Sequence, residues 1–299
     1  MPSKLKSLLP ANLPVAALLL AAMMWGIFWY PLRLLEEHGL HGLWATLLIF
    51  ASALLVGLPV LWRRRGEFVR HRWMLLWIAL ANGWCNTAFI LAVLDGTVVR
   101  VLLLFYLSPL WTIMLGHFLL KEKPSRFALT ALALAMVGMV ITIWEPELGF
   151  PWPEGRADWL AISSGLAFAL SNVLVRKAQE VAIPIKTVTT WGGVVGVAGA
   201  WAMLSGVSVP DIGAGVYASV FAIGVLGIVL MTVAVQYGVA NMPVHRSSVI
   251  LLSEVVAGAV SAQLLTNEVV LPREWIGGAL ILLAGWFSTR EERNGKDQA

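Results

Sequence analysis

Ten stretches of the chain are apolar runs interrupted only by small, hydroxyl or amide side chains, and charged or Pro/Gly-containing segments separate them. Their approximate bounds are 13–33, 42–62, 73–94, 98–120, 126–144, 158–176, 185–205, 213–238, 244–265 and 274–289. About 20 apolar residues suffice for an α-helix to cross the hydrocarbon core of a bilayer. The pattern therefore predicts an all-α integral membrane protein with ten transmembrane helices and short loops. The longest polar interruptions, 62–72 and 145–158, are too short to hold a domain. Lys4 and Lys6 precede the first apolar run as they would in a signal peptide. That run continues to Leu32 without a small-x-small cleavage site, and so reads as a retained first span.

Basic residues orient these spans. With ten spans and a cytoplasmic N-terminus, all but four of the 21 Lys and Arg fall on the cytoplasmic side. The four outside are Arg33, Arg100, Arg156 and Arg273. This is the asymmetry that cytoplasmic loops normally carry. A nine-span arrangement would reverse part of it. The expectation is ten spans with both termini in the cytoplasm.

The chain also reads twice. A shift of 146 residues lays the segment 96–122 on 242–268, placing Arg100 on Arg246, Ser108 on Glu254 and Glu122 on Glu268. A shift of 143 carries Arg33 to Arg176, and one of 147 carries Arg126 to Arg273 and Gly138 to Gly285. The predicted organisation is a cytoplasmic segment 1–12, a five-helix repeat 13–144, an external linker 145–157, a second five-helix repeat 158–289 and a cytoplasmic tail 290–299. Five is odd, so the second repeat enters the membrane upside down. Such inverted repeats are a mark of secondary transporters.

Composition agrees and excludes other classes. Of 299 residues, 59% are hydrophobic and 13% charged, and the mean hydropathy is +0.80. A soluble protein of this size needs far more charge to cover its surface. The net charge of +4 arises from loop residues at one face, so nucleic acid is not an expected partner. Cys85 is the single cysteine, which excludes an internal disulfide or thiolate metal site. The five histidines form no ligand spacing, and there is no HExxH, Walker or G-x-S-x-G sequence. No cofactor, no metal and no enzymatic activity are expected. Trp44, Trp62, Trp73, Trp152, Trp159 and Trp275 lie near span ends, as an interfacial aromatic belt would.

Four pieces of sequence carry a resemblance. They are Trp25-Gly26 with Arg33; Asn86 with 92–94 in span 3; Arg100, Tyr106-Leu107-Ser108-Pro109 and Lys121-Glu122 in span 4; and Arg246, Ser253-Glu254 and Glu268 in span 9. In order and spacing the chain resembles the drug/metabolite transporter superfamily, in its ten-helix EamA-like branch, over about residues 10–290. Within that branch it is most similar to the YddG-type exporters of aromatic amino acids. The resemblance implies a multi-pass protein of the bacterial inner membrane that exports small metabolites. Val255 follows Glu254 where such families commonly have proline. Span 4, with Pro109, is therefore expected to kink, nothing demands a kink in span 9, and the halves are expected to flex unequally.

Glu254 is the sharpest functional candidate. It lies eight residues beyond Arg246, about 12 Å along a helix. A mid-membrane carboxylate is costly and should face the bundle interior or water. It is expected to bind a substrate ammonium or to exchange a proton; the competing reading is a structural hydrogen-bond anchor. Asn82 and Asn86 share one face of span 3, either lining a cavity or joining helices. Trp25, Trp29, Tyr106, Ser108, Pro109, Ser164, Asn172, Trp191 and Tyr237 complete the candidate substrate-binding set, with Ser163, Ser171, Trp111 and Gln236 nearby. An aromatic wall with a few polar tips suits a flat apolar solute with an amino-acid head group. The competing reading for each ring is packing. Glu122 and Glu268 are gating candidates, expected to pair with Lys121 or Arg126 and with Arg273. The glycines of span 7, with Gly192-xxx-Gly196 as a small-xxx-small pair, are expected to be packing surfaces.

These features point to a secondary transporter that exports aromatic and other neutral amino acids by alternating access, as a monomer in the bilayer, with proton coupling through Glu254 as an open option. Efflux of lipophilic cations is the alternative. A membrane enzyme would show clustered catalytic groups, and a scaffold would not need a mid-membrane carboxylate.

Overall fold

The computed structural model describes residues 12–96, 98–144, 147, 152–266 and 270–296, without the side chains of 99 and 288–296. Among them every regular element is helical. Among the described residues nine helices are long and apolar enough to cross a membrane. They are α1 (Leu13–Glu37), α2 (Gly42–Arg63), α3 (Arg72–Asp95), α4 (Arg100–Leu120), α5 (Arg126–Ile143), α6 (Arg156–Lys177), α7 (Ile183–Ser205), α8 (Ala214–Asn241) and α9 (Val244–Leu265). A further helix, α10 (Pro272–Lys296), occupies the tenth predicted stretch. Lys4, Lys6, Glu268 and much of the predicted linker lie outside the described residues.

Local chemistry explains where these helices bend. Helix α1 runs four residues beyond the expected end at Arg33 and is interrupted at Phe28. Pro31 has no N–H to give the carbonyl of residue 27, so the regular ladder stops there. Helix α4 is interrupted at Tyr106 and Leu107 and restarts at Ser108, because Pro109 likewise cannot bond Phe105 O. Helix α9 is interrupted too, at Leu252, without any proline. The Ser253 hydroxyl donates to Ile250 O at 2.7 Å, and Val255 N reaches only three residues back, to Leu252 O at 3.1 Å. Both halves therefore bend, contrary to the unequal flexing expected from Val255.

The main packing contacts cross between the halves. Helix α3 lies on α6 and α7, while α8 lies on α1 and α2; α6 lies on α4, while α9 lies on α1; α2 meets α7 and α5 meets α10. Exchanging the first five helices with the last five reproduces this pattern. Close approach requires missing Cβ atoms. A Cβ on Gly26 would stand 2.6 Å from Glu254 O, and one on Gly165 would stand 2.5 Å from Phe105 O. Each glycine thus lets its helix reach the bent helix of the other half. In α7 the close contact belongs to Gly193, against the Ala79 backbone of α3. The expected pair is not a close approach: a Cβ on Gly192 would meet only Leu54, at 4.0 Å, and one on Gly196 nothing within 4 Å.

Trp62, Trp73, Trp152, Trp159 and Trp275 are exposed at helix ends or in loops, as a belt requires. Trp44 departs from it and packs against the core between α2 and α7.

Candidate functional site

A cavity of about 160 Å³ lies inside the bundle. Helices α1–α4 and α6–α9 all contribute to its wall, whereas the described residues of α5 and α10 do not. The first half supplies Trp25, Phe50, Asn82, Cys85, Asn86 and Phe89, and then Phe105, Tyr106, Ser108, Pro109 and Thr112 from around the α4 break. The second half supplies Phe168, Ser171 and Asn172 from α6, Thr190 from α7, Thr232, Val235 and Gln236 from α8, and Ser248, Leu251, Leu252 and Glu254 from around the α9 break.

The two breaks place Tyr106 and Glu254 together, with the tyrosine hydroxyl facing the carboxyl group closely enough to interact. Among the described residues Glu254 is the only acidic one on the wall, and no Lys, Arg or His lines it. Phe105 centres an aromatic cluster, its ring 5.0 Å from Phe89, 5.4 Å from Tyr106 and 5.6 Å from Phe168 in edge-to-face or tilted contact. Asn82 both lines the cavity and joins helices: its Nδ2 donates to Ile78 O at 2.9 Å and to Ser171 Oγ at 2.6 Å. Asn86 Nδ2 donates to Asn82 O at 3.0 Å. Gln236 Nε2 donates to Thr190 Oγ1 at 3.0 Å, and that hydroxyl donates to Lys186 O at 3.1 Å.

Eight of the twelve predicted binding residues therefore meet on one wall: Trp25, Asn82, Asn86, Tyr106, Ser108, Pro109, Asn172 and Glu254. Four do not. Trp29 donates through Nε1 to Ser261 Oγ at 3.0 Å, tying α1 to α9. Ser164 is fully buried and donates to Cys85 O at 2.7 Å, tying α6 to α3. Trp191 is core and donates to Thr232 Oγ1 at 3.2 Å. Tyr237 is half-buried and does not line the cavity. Phe50, Phe89, Phe105 and Phe168 line the cavity without having been singled out by the sequence.

Helices α4 and α6 are stapled beyond both ends of the cavity. At one end Arg100 Nε donates to both oxygens of Asp158 at 2.9 and 3.0 Å and a terminal nitrogen to Trp152 O. At the other, Arg176 Nε donates to Glu122 Oε1 at 3.2 Å, and Val244 N donates to Glu122 Oε2 at 3.0 Å. Lys121, left-handed with φ 58°, ends the last turn of α4 and sets Glu122 toward α6. Glu122 thus pairs across the halves with Arg176, not with Lys121 or Arg126 as expected. Glu268 lies outside the described residues.

A bundle of two exchangeable five-helix halves, closed around a largely apolar cavity with six aromatic side chains and one carboxyl group among the described residues, has the architecture of a membrane transporter. Residues 12–144 and 155–290 each match the EamA-like transporter family, and the chain belongs to that family. An "uncharacterized transporter" of Pseudomonas aeruginosa is 27% identical over 181 residues, spanning 58% of this chain and 57% of its relative, so the match covers little more than half of that protein. An "uncharacterized transporter" of Archaeoglobus fulgidus is 26% identical over 218 residues, 73% of this chain and 76% of its own length. A solved crystal structure shares the fold with a TM-score of 0.74 at 17% identity, covering 94% of this chain and 98% of its own.

Proposed function

We propose that this chain is a secondary exporter of neutral amino acids with bulky or aromatic side chains, working by alternating access between its two halves. The observation that carries the reading is the composition of the cavity wall: six aromatic side chains, a single carboxyl group and side-chain amides, drawn from eight helices of both halves. Rings bind a flat apolar body, and their faces attract an ammonium. Glu254 complements that charge, and a mid-membrane carboxylate marks a substrate or proton path. The exchange symmetry of the helix packing supplies two equivalent ways of closing the bundle. In this reading ten helices span a bacterial inner membrane, the second half is inverted relative to the first, both termini are cytoplasmic, and the protein acts as a monomer.

One observation favours a second reading. Among the described residues the wall has no Lys, Arg or His to meet a substrate carboxylate, so a lipophilic cation would satisfy it as well. Flux in proteoliposomes separates the two. Labelled phenylalanine, tryptophan, methionine and a lipophilic cation are offered to wild type and Glu254→Gln, with and without a pH gradient. Amino-acid flux that is lost in Glu254→Gln supports the export reading, and gradient dependence lost with it places proton exchange at Glu254. Flux of the cation alone replaces amino acids with drugs. Movement of neither, from folded protein, refutes both.

A further inference from the structure

We infer that the cavity recognises its solute by the ammonium group rather than the carboxylate, with Gln236 Oε1 as a second acceptor beside Glu254. This rests on the cavity being the substrate site. Gln236 is 4% exposed, and its Oε1 has no hydrogen-bond partner among the described residues. The orientation of its amide follows from its neighbours. The Thr190 hydroxyl gives its one hydrogen to Lys186 O, so it can only accept from Gln236. Gln236 must then present Nε2 to Thr190 and keep Oε1 free. An acceptor buried without a partner is costly, and a solute N–H removes that cost on binding.

Several donors of the wall are spent within the protein. Both hydrogens of the Asn82 amide are used on Ile78 O and Ser171 Oγ. The hydroxyls of Thr112 and Ser248 donate to backbone carbonyls of their own helices, Ser108 O at 2.8 Å and His245 O at 2.9 Å, as does that of Thr190. One hydrogen of Asn86 goes to Asn82 O. The donors that remain, among them the amides of Asn86 and Asn172 and the indole of Trp25, are neutral, whereas Glu254 brings a carboxyl group and no cationic side chain among the described residues of the wall opposes it. An ammonium, with three donors and a positive charge, fits this balance; a carboxylate, which only accepts, does not.

The test compares binding of phenylalanine, phenethylamine and 3-phenylpropionate to the purified protein, with isoleucine, hexylamine and hexanoate as an aliphatic set. Phenethylamine is expected within about tenfold of phenylalanine, and 3-phenylpropionate more than about tenfold weaker, the scale of one hydrogen bond to a charged group. Gln236→Met is expected to weaken both ammonium ligands about tenfold and leave the carboxylate ligand unchanged. Gln236→Glu, which keeps an acceptor, is expected to retain the ammonium preference, and Thr190→Ser to behave as wild type while Thr190→Val loses part of it. A wild type that prefers 3-phenylpropionate, or a folded Gln236→Met that binds all ligands as wild type does, overturns the inference. Selective binding of hexylamine over hexanoate, with no aromatic ligand bound, refutes the aromatic amino-acid reading and leaves ammonium recognition standing. Binding of no amine in either set refutes both.

Discussion

Gly165→Ala perturbs the point where helix α6 meets the α4 break. Pro109 leaves Phe105 O without its helical donor, and α6 covers that carbonyl through Gly165. A methyl carbon there would stand 2.5 Å from the oxygen and 3.3 Å from its carbon. That is about 0.9 Å short of the 3.4 Å at which ordinary contact begins. The obstructing atom is backbone and cannot rotate away, so the two helices must separate. Overpacking of this kind costs about 1–3 kcal/mol, while replacing a helical glycine with alanine returns up to about 1 kcal/mol. The net expectation is a loss of up to about 2 kcal/mol, lowering the thermal midpoint by up to several degrees at about 2–4 °C per kcal/mol for a domain of 150–250 residues. Phe168 and Asn172 continue the same face of α6 into the cavity, so substrate affinity should fall as well. Gly196→Ala is the control: nothing lies within 4 Å of its added Cβ, and its midpoint should hold or rise. Thermal unfolding of both variants in the same detergent is the assay. Equal midpoints, or a Gly165→Ala protein with wild-type affinity, would refute the argument that this contact sets the cavity wall.

The other expectations follow from single contacts. Lys186 is buried and donates through Nζ to Val175 O and Ala178 O, both at 3.1 Å, capping the end of α6. Lys186→Met should cost about 1–3 kcal/mol per stranded carbonyl, visible as a lower thermal midpoint. Glu122→Gln and Arg176→Gln should each destabilise, and a double-mutant cycle should give a coupling of about 0.5–2 kcal/mol; additive effects would mean that the cross-half pair contributes nothing. Asp158→Asn should cost about 1–3 kcal/mol, because the guanidinium of Arg100 loses its bidentate carboxylate and keeps as charge partner only the exposed Glu154, at 3.5 Å; an unchanged midpoint would show that this staple contributes nothing.

The span pattern was legible because twenty-residue apolar runs have one physical meaning in lipid. The faces of those spans were less so. Where one side of a helix meets lipid and the other meets protein, both are apolar, and the periodicity that marks a buried face in water disappears. Polar residues escaped this, because an amide, hydroxyl or carboxylate is tolerated only where something satisfies it. Asn82, Asn86, Asn172 and Glu254 accordingly lie on the cavity wall. Phe89, Phe105 and Phe168 could not be told from packing rings. Gln236 lines the cavity and its neighbour Tyr237 does not, although adjacent residues such as Ser171 and Asn172 both do. Trp29 sits four residues after Trp25, a spacing that predicts a shared face, but the break at Phe28 intervenes and sends its indole to Ser261. The pairing of Glu122 with Arg176, 54 residues away, had no local signal.

The α9 break shows how such a site arises without the residue that usually marks it. Backbone that leaves the helical ladder inside a bilayer strands polar groups, and is tolerated only where protein covers them or a cavity wets them. In α4 proline forces the departure, and Gly165 covers the freed carbonyl. In α9 the Ser253 hydroxyl takes up Ile250 O, and Gly26 brings α1 against Glu254 O. A hydroxyl on the broken helix and a glycine on its neighbour thus take the place of a proline. The result in each half is the same: a side chain with a polar end, Tyr106 in one and Glu254 in the other, is presented from a break rather than from a regular turn. Substituting Ser253 with alanine should therefore straighten α9, withdraw Glu254 from Tyr106 and reduce substrate affinity without touching the wall itself. Unchanged affinity in Ser253→Ala would show that the close approach of α1 alone holds the break open.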